Sequence, residues 1–276
     1  MLTYMPKFYR LNFNVMKIGI IADIHEDIIR TREAIELLKN QWCDKLVCLW
    51  DLIGIAVPYY GYMKSRNGSE VIKLIKENCD IVLIGNHDLF TTKKLPKSNG
   101  GFNYPENRYS LDYPTRVKLA NDKLRLHEEN ELSPLITDEE KNYINSLPEY
   151  QIEEIDWVKI LFSHWIYPDF AWTTKFKASE KDDYKQHFEF MKNNDCSINI
   201  AGHAHRKRYS FSEDWLFDID FNKKVKADKY PFWFVVPCVA NGTEPNGVAV
   251  FDTKTMEIEF LPLNTKPHIV PERAKL

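Results

Sequence analysis

No apolar run in this chain approaches the ~20 residues that a membrane-crossing helix needs, so no helical span is expected. Residues 1–15 are aromatic and polar, carry Lys7 and Arg10, and lack the apolar centre of a secretory leader. They read as an N-terminal extension before a domain covering 16–276, with Met16 as an alternative start. The five cysteines (Cys43, Cys48, Cys79, Cys196 and Cys238) are odd in number, scattered, and form no C-x-x-C pair. That argues against a zinc ribbon and against a disulfide framework. It leaves buried free thiols in a reducing compartment such as the cytoplasm. No sign of charge dominates either: 37 Lys and Arg against 40 Asp and Glu give a net charge of −3 and no global nucleic-acid footprint. Repeats, low-complexity tracts and Gly/Ser linkers are missing, so a single domain is expected. With 276 residues, 44% hydrophobic and 28% charged, the chain can bury a sizeable core as a soluble globular protein.

What is there has an α/β rhythm. Residues 17–22 form an apolar strand ending at Asp23, and 46–50 a second strand ending at Asp51. Residues 80–84 form a third strand, ending at Gly85. Between them, 27–41 place Ile28, Ile35 and Leu38 at near-helical spacing, and Ser69 is expected to cap a helix running to Glu77. A β-α-β-α-β run predicts parallel strands with crossover helices. Ligands of such sheets gather outside the carboxyl ends of the strands. Residues 89–136 are polar and without period, and read as loops with one or two irregular helices forming an insertion or lid. Thr137-Asp138-Glu139-Glu140 is a capping box for a short helix ending before Pro148. A strand over 157–163 delivers His164, a charged helix spans about 180–193, and a strand over 196–201 delivers His203 and His205. Residues 232–239, 247–252 and 256–261 read as closing strands, the last two a hairpin.

Five strand ends carry metal-binding residue types: Asp23-Ile24-His25, Asp51, Gly85-Asn86-His87-Asp88, Ser163-His164, and Gly202-His203-Ala204-His205. Asp23 and His25, two apart, would share one side of an extended strand end and grip one ion. The two carboxylate oxygens of Asp51 can bridge a pair of ions. Asn86 offers a carbonyl to a hard or borderline cation, and His87 is left for proton transfer. Two imidazoles at i and i+2, His203 and His205, are typical ligands of borderline ions. The donors are all N or O, with no thiolate. Manganese is the first expectation, and iron, zinc, nickel or cobalt also fit. Asp88 is a candidate to orient His87, and Arg206 a candidate phosphate clamp. Tyr59, Tyr60, Tyr62, Trp165, Tyr167, Phe170 and Trp172 are candidates to line a pocket or to serve as packing. His127, His187 and His268 read as surface residues.

In motif order, strand-end placement and spacing, the chain resembles the calcineurin-like metallophosphoesterase superfamily, and within it the compact YfcE-like phosphodiesterases, over about 17–262. The resemblance implies a four-layer α-β-β-α sandwich. It also implies a division of ligands: Asp23, His25, Asp51 and His205 around one divalent ion, and Asp51, Asn86, His164 and His203 around the other. His87 would face the leaving group. Two positions depart from the family pattern. Trp50 precedes Asp51 where the family usually has Gly, and Trp165 follows His164 where Gly is common. Both put bulk near the metals.

Two ions side by side suit attack on phosphate esters by a metal-bridging hydroxide, with His87 as general acid. The expected substrate is a small phosphodiester or nucleotide. The alternatives are a phosphomonoesterase or protein phosphatase, and a non-catalytic scaffold of the same fold. Against a protein phosphatase, Asp51-Leu52-Ile53-Gly54 lacks the Asp-Arg-Gly of the Ser/Thr enzymes. Against a scaffold, the ligand set and His87 are complete.

Overall fold

The structure is a computed structural model that describes residues 15–55, 63–126, 131–175, 181–203, 209–212, 216–227, 231–240 and 245–266. Short apolar runs become strands and the amphipathic stretches between them become helices. The first half runs β1 (Lys17–Ala22), α1 (Ile28–Asn40), β2 (Lys45–Leu49), α2 (Gly68–Asn78), β3 (Ile81–Leu83) and α3 (Asn86–Thr92). A single 3₁₀ turn, α4 (Tyr113–Ala120) and α5 (Asp138–Ser146) follow. The second half is β4 (Tyr150–Ile155), β5 (Val158–Ser163), α6 (Lys181–Asn193), β6 (Ile198–Ala201), β7 (Tyr209–Ser212), β8 (Leu216–Asp218), β9 (Lys224–Lys226), β10 (Phe232–Val235), β11 (Gly247–Asp252) and β12 (Glu257–Pro262).

Two six-stranded sheets result, in the orders β3-β2-β1-β11-β12-β9 and β4-β5-β6-β10-β7-β8. β1, β2 and β3 are parallel, as are β5, β6 and β10. Alternation within the second sheet shows how the layers stack. Ile160, Phe162, Phe232 and Phe234 join the core shared with the first sheet, while Leu161, Trp233 and Val235 meet Phe188 and Met191 of α6 on the other face. Successive strand residues point to opposite faces, so the second sheet is covered on both sides. On the first sheet, α1 packs against β1 and β11. This is the expected four-layer α-β-β-α arrangement. Among the described residues no helix is long and apolar enough to cross a membrane. All five cysteines are free.

Several local expectations are corrected. The last two closing strands form the expected hairpin, β11 and β12, in the first sheet, while β10 inserts between β6 and β7 of the second. β4, β7, β8 and β9 were not foreseen. β4 hides its nature because it is an edge strand carrying Gln151, Glu153 and Glu154, the polar side chains that keep an edge from pairing further. Asn67, not Ser69, caps α2 by accepting the Glu70 N–H at 3.1 Å. The Ser69 hydroxyl instead donates to the Leu135 carbonyl and to Glu140, at 3.1 and 2.8 Å. The capping box at Thr137 and Glu140 forms as expected.

His187 is the clearest reversal. It is fully buried rather than a surface residue. Its Nδ1 accepts the Tyr167 N–H at 3.1 Å, and its Nε2–H donates to Asn199 Oδ1 at 3.0 Å. Asn199 in turn donates to the Leu161 carbonyl and to Ser163 Oγ. A neutral imidazole thus clamps the end of β5, just before His164. Burial drives the His187 pKa down to about 3, against the smaller opposing pull of Asn199. Below a pH near the ordinary 6.5 the unfolded chain binds a proton that the folded chain refuses, so stability falls as pH drops from about 6.5 towards 3. The expected slope from this residue is up to about 1.4 kcal/mol per pH unit. Denaturant melts of the protein and of His187→Gln at pH 7, 5.5 and 4.5 measure it. Equal slopes in the two proteins would rule His187 out as the source.

Candidate metal centre

Every predicted ligand among the described residues lies just beyond the carboxyl end of a parallel strand. Asp23 and His25 follow β1, Asp51 follows β2, Asn86 opens α3 after β3, His164 follows β5 and His203 follows β6. The first three strands belong to one sheet and the last two to the other. The site is therefore a seam between sheets. After β10 the chain crosses that seam: the Val239 and Ala240 N–H groups donate to the carbonyls of Ala22 and Asp23, at 2.8 and 3.0 Å.

The geometry after β1 is not the extended strand end expected for Asp23 and His25. Asp23, His25, Glu26, Trp50, Asp51 and His203 all have φ between 47° and 71°. Such left-handed residues cost of order 1–3 kcal/mol each and persist only where their surroundings over-determine them. Here the turns after β1 and β2 are bonded to each other. The N–H groups of Asp23, Ile24, His25 and Glu26 donate to the carbonyls of Trp50, Asp51, Asp51 and Leu52, at 3.2, 3.0, 2.7 and 2.9 Å. The φ of +71° at Trp50 also gives a physical reason for the family's preference for Gly there.

Asp51 is the hub. Its Oδ1 accepts the His87 N–H at 2.9 Å. Its Oδ2 is buried, accepts no hydrogen bond, and lies 3.9 Å from His25 Nε2 and 3.5 Å from His164 Nε2. Donor atoms of His25, Asp51 and His87 fall within 4.8 Å of one another, as do those of Asp51, His164 and His203. Asp51 is the shared member. Asn86 Oδ1 lies 2.6 Å and His203 Nδ1 2.9 Å from His164 Nε2. His25 donates from Nδ1 to the Gly54 carbonyl at 2.9 Å, which leaves its Nε2 lone pair facing Asp51. A buried carboxylate oxygen without a hydrogen bond, faced by the imidazole nitrogens of His25 and His164, with an amide oxygen beside His164, is a donor set suited to divalent cations. Asp23 joins through the His203 N–H, which its two oxygens accept at 3.2 and 3.1 Å. His205 and Arg206 lie outside the described residues, as do Tyr59, Tyr60, Tyr62, His127 and His268.

Electrostatics agrees. Burial pushes the Asp23 carboxyl up to about 7, although the His203 N–H and the His87 charge oppose it. Burial also holds Asp51 well above the carboxylate range, with His87 opposing and Asp88 and Asp23 adding to the rise. Asp88 is raised to about 6 by burial, against the backbone N–H groups it accepts. A cluster of desolvated acids is a place where added positive charge is favoured. Burial would depress His87, but Glu131 and Asp51 outweigh it and raise its pKa to about 9.

Three residues of the site escaped sequence reasoning. Glu131 Oε1 lies 2.6 Å from His87 Nδ1. Glu26 accepts from Arg66 Nε at 2.6 Å and from the Gly54 N–H at 3.3 Å, so it steadies the loop whose carbonyl holds His25. Glu26 stands directly after the Asp23-Ile24-His25 motif and could have been flagged by position; Glu131 and Arg66 carry no local signal. Asp88, expected to orient His87, uses its carboxylate to accept the N–H groups of Ile53 and Gly85, at 3.0 and 3.1 Å. It ties the ends of β2 and β3 together. The tryptophans do crowd the site. Trp50 sits edge-on to His164 at 4.7 Å, and Trp165 and Trp172 lie 5.4 and 3.8 Å from His203. Phe170 belongs to the packing under α6.

Comparison with known proteins identifies the family and the fold. The calcineurin-like phosphoesterase family model matches residues 16–207. Uncharacterized protein MJ0912 of Methanocaldococcus jannaschii is 27% identical over 151 residues, which is 53% of this chain and 48% of that protein. The chain thus spans about half the length of that curated relative. The fold is similar to a metallophosphoesterase from Sphaerobacter thermophilus, with a TM-score of 0.64 and 17% identity over 92% of this chain and 90% of that one. It is also similar to hypothetical protein PH1004 from Pyrococcus horikoshii, with a TM-score of 0.56 and 14% identity over 91% and 88% of the two chains.

Gly85 offers a direct check on the hub. A Cβ there would fall 2.2 Å from Asp51 Oδ1. Gly85→Ala should displace the carboxylate and lower bound metal, while Gly101→Ala, strained by its φ of +80° but with nothing within 4 Å of the added carbon, should leave bound metal unchanged. Metal content by plasma emission spectroscopy, with circular dichroism to confirm folding, reads the result. Full metal occupancy in Gly85→Ala would remove Asp51 from its central place.

Proposed function

Since the chain belongs to the calcineurin-like phosphoesterase family, we propose that it hydrolyses a small phosphodiester or nucleotide at a two-metal site, with His87 as general acid. The observation that carries the reading is the unbonded Asp51 carboxylate oxygen, approached by His25 from the first sheet and by His164 from the second. Asp23, His25, Asp51 and His205 would hold one ion, and Asp51, Asn86, His164 and His203 the other. When bound, the ions supply Lewis acidity that activates water and offsets charge on the phosphoryl oxygens.

The protein's own groups do the rest. His87 reaches the site from the first turn of α3, with its backbone N–H on Asp51 and its ring edge-on to His25 at 4.9 Å. From there it gives a proton to the departing oxygen. Trp165 and Trp172 narrow the approach beside His203, which favours a small substrate over a folded protein. All described ligands except His203 are buried, so charge interactions at the reacting phosphate are weakly screened.

Initial rates with bis-p-nitrophenyl phosphate and p-nitrophenyl phosphate, with Mn²⁺ and with chelator, test the reading. Chelator-sensitive cleavage that favours the diester is expected; preference for the monoester would replace the diesterase reading with a phosphatase. His87→Ala should keep its metals and lose roughly 10²–10⁴-fold in rate. Loss of metal in that variant would make His87 a ligand instead of an acid.

A further inference from the structure

We propose that Glu131, from outside all the ligand motifs, is the positioning residue of His87, and that the pair serves substrates whose leaving group is an aliphatic alkoxide. The proposal rests on the reading of His87 as general acid. The His87 Nδ1 to Glu131 Oε1 distance is 2.6 Å, and the two side chains are only 11% and 3% exposed. A short bond from an imidazole to a carboxylate at such burial is charge-assisted and directional. It fixes Nδ1 as the nitrogen that Glu131 holds, so the acid role falls to Nε2.

The neighbouring acid does not take this role: the Asp88 oxygens accept the Ile53 and Gly85 N–H groups, while His87 Nδ1 is bonded to Glu131. Glu131 is delivered by a strapped segment. The Leu132 N–H donates to the Ile55 carbonyl at 2.9 Å, Arg66 Nη2 to the Ser133 carbonyl at 2.7 Å, and Ser69 Oγ to the Leu135 carbonyl at 3.1 Å. Arg66 also grips Glu26, beside the ligand His25, so one guanidinium ties the strap to the metal centre. The second oxygen of Glu131 is buried with no hydrogen-bond partner, and a Cβ on Gly54 would lie 3.1 Å from it. A carboxylate desolvated at that cost is poorly placed for stability alone.

In the step served, a water oxygen bonds to phosphorus and the ester P–O bond breaks. The Nε2 proton of His87 passes to the leaving oxygen, one proton of the attacking water is released to solvent, and the Nδ1–H of His87 stays in its bond to Glu131. A good aryloxide leaves without that proton, but an alkoxide does not. Orientation of His87 therefore matters in proportion to how poor the leaving group is.

The experiment measures kcat and KM for methyl p-nitrophenyl, methyl phenyl and methyl benzyl phosphodiesters in the Mn²⁺-loaded protein and in Glu131→Gln, Glu131→Ala and His87→Ala. Metal content and melting temperature are followed in parallel. Glu131→Ala should lose about 10–100-fold in kcat on the phenyl and benzyl esters. It should lose much less on the p-nitrophenyl ester, with KM and metal content unchanged. Glu131→Gln, which still accepts from Nδ1–H, should recover part of the loss. An equal loss on all three esters, or loss of metal, would overturn the role of Glu131. A leaving-group dependence in His87→Ala that the Glu131 variants lack would overturn Glu131 and keep His87 as acid. No such dependence in His87→Ala would overturn the His87 reading, and the proposal with it.

Discussion

A carboxylate oxygen buried without a hydrogen bond, Oδ2 of Asp51, is the constraint around which the rest of the molecule is arranged. Burying such a group is costly unless opposite charge comes with it. The protein accepts that cost where the carboxyl ends of parallel strands from both sheets meet. Imidazoles from the turns after β1, β5 and β6 then approach the same oxygen or each other. The sheets' stacking is thus the coordinate frame of the site.

The turns that present these groups are strained, and the strain is held by backbone bonds between them. The ladder from residues 23–26 to residues 50–52 replaces the freedom that glycine would otherwise provide. This is how Trp50 is tolerated where a small residue is usual in the family. Its indole fills the space behind His164, so a position that could have been open is packed instead. Gly85 shows the opposite solution: there the carboxylate comes so near that no side chain fits. Around this frame lies a layer of buried polar residues that hold the ligands by their backbones. Glu26 and Arg66 steady Gly54, Asp88 joins two strand ends, and the His187–Asn199 pair fixes the end of β5. Each is satisfied by hydrogen bonds, as buried polar groups must be.

The ligand motifs and the parallel β-α-β order were legible in the sequence because both are local: an apolar run followed by Asp or His within a few residues is visible without knowing the fold. Asp23, His25, Asp51, Asn86, His87, His164 and His203 were picked out that way as candidates, and the fold brings them to one seam. The same logic failed for His187, whose neighbours in sequence are charged while its neighbours in space are Asn199 and a backbone amide. It failed for Asp88 too, since adjacency to His87 said nothing about which way its carboxylate would face. The edge strands β4 and β9 were missed because a strand paired on one side need not be apolar.

What the sequence by itself determined was the chemistry available and the order in which strands deliver it, since residue type and apolar period are properties of short segments. Only the tertiary structure decided which of those groups meet. The partition of β10, β11 and β12 between sheets, the left-handed turns after β1 and β2, and the return of Glu131 to His87 across 44 residues depend on contacts between distant segments. Such contacts leave no mark on the local sequence. They arise because two sheets buried face to face bring distant strand ends together, and the connecting segments must satisfy their polar groups with the partners that lie there.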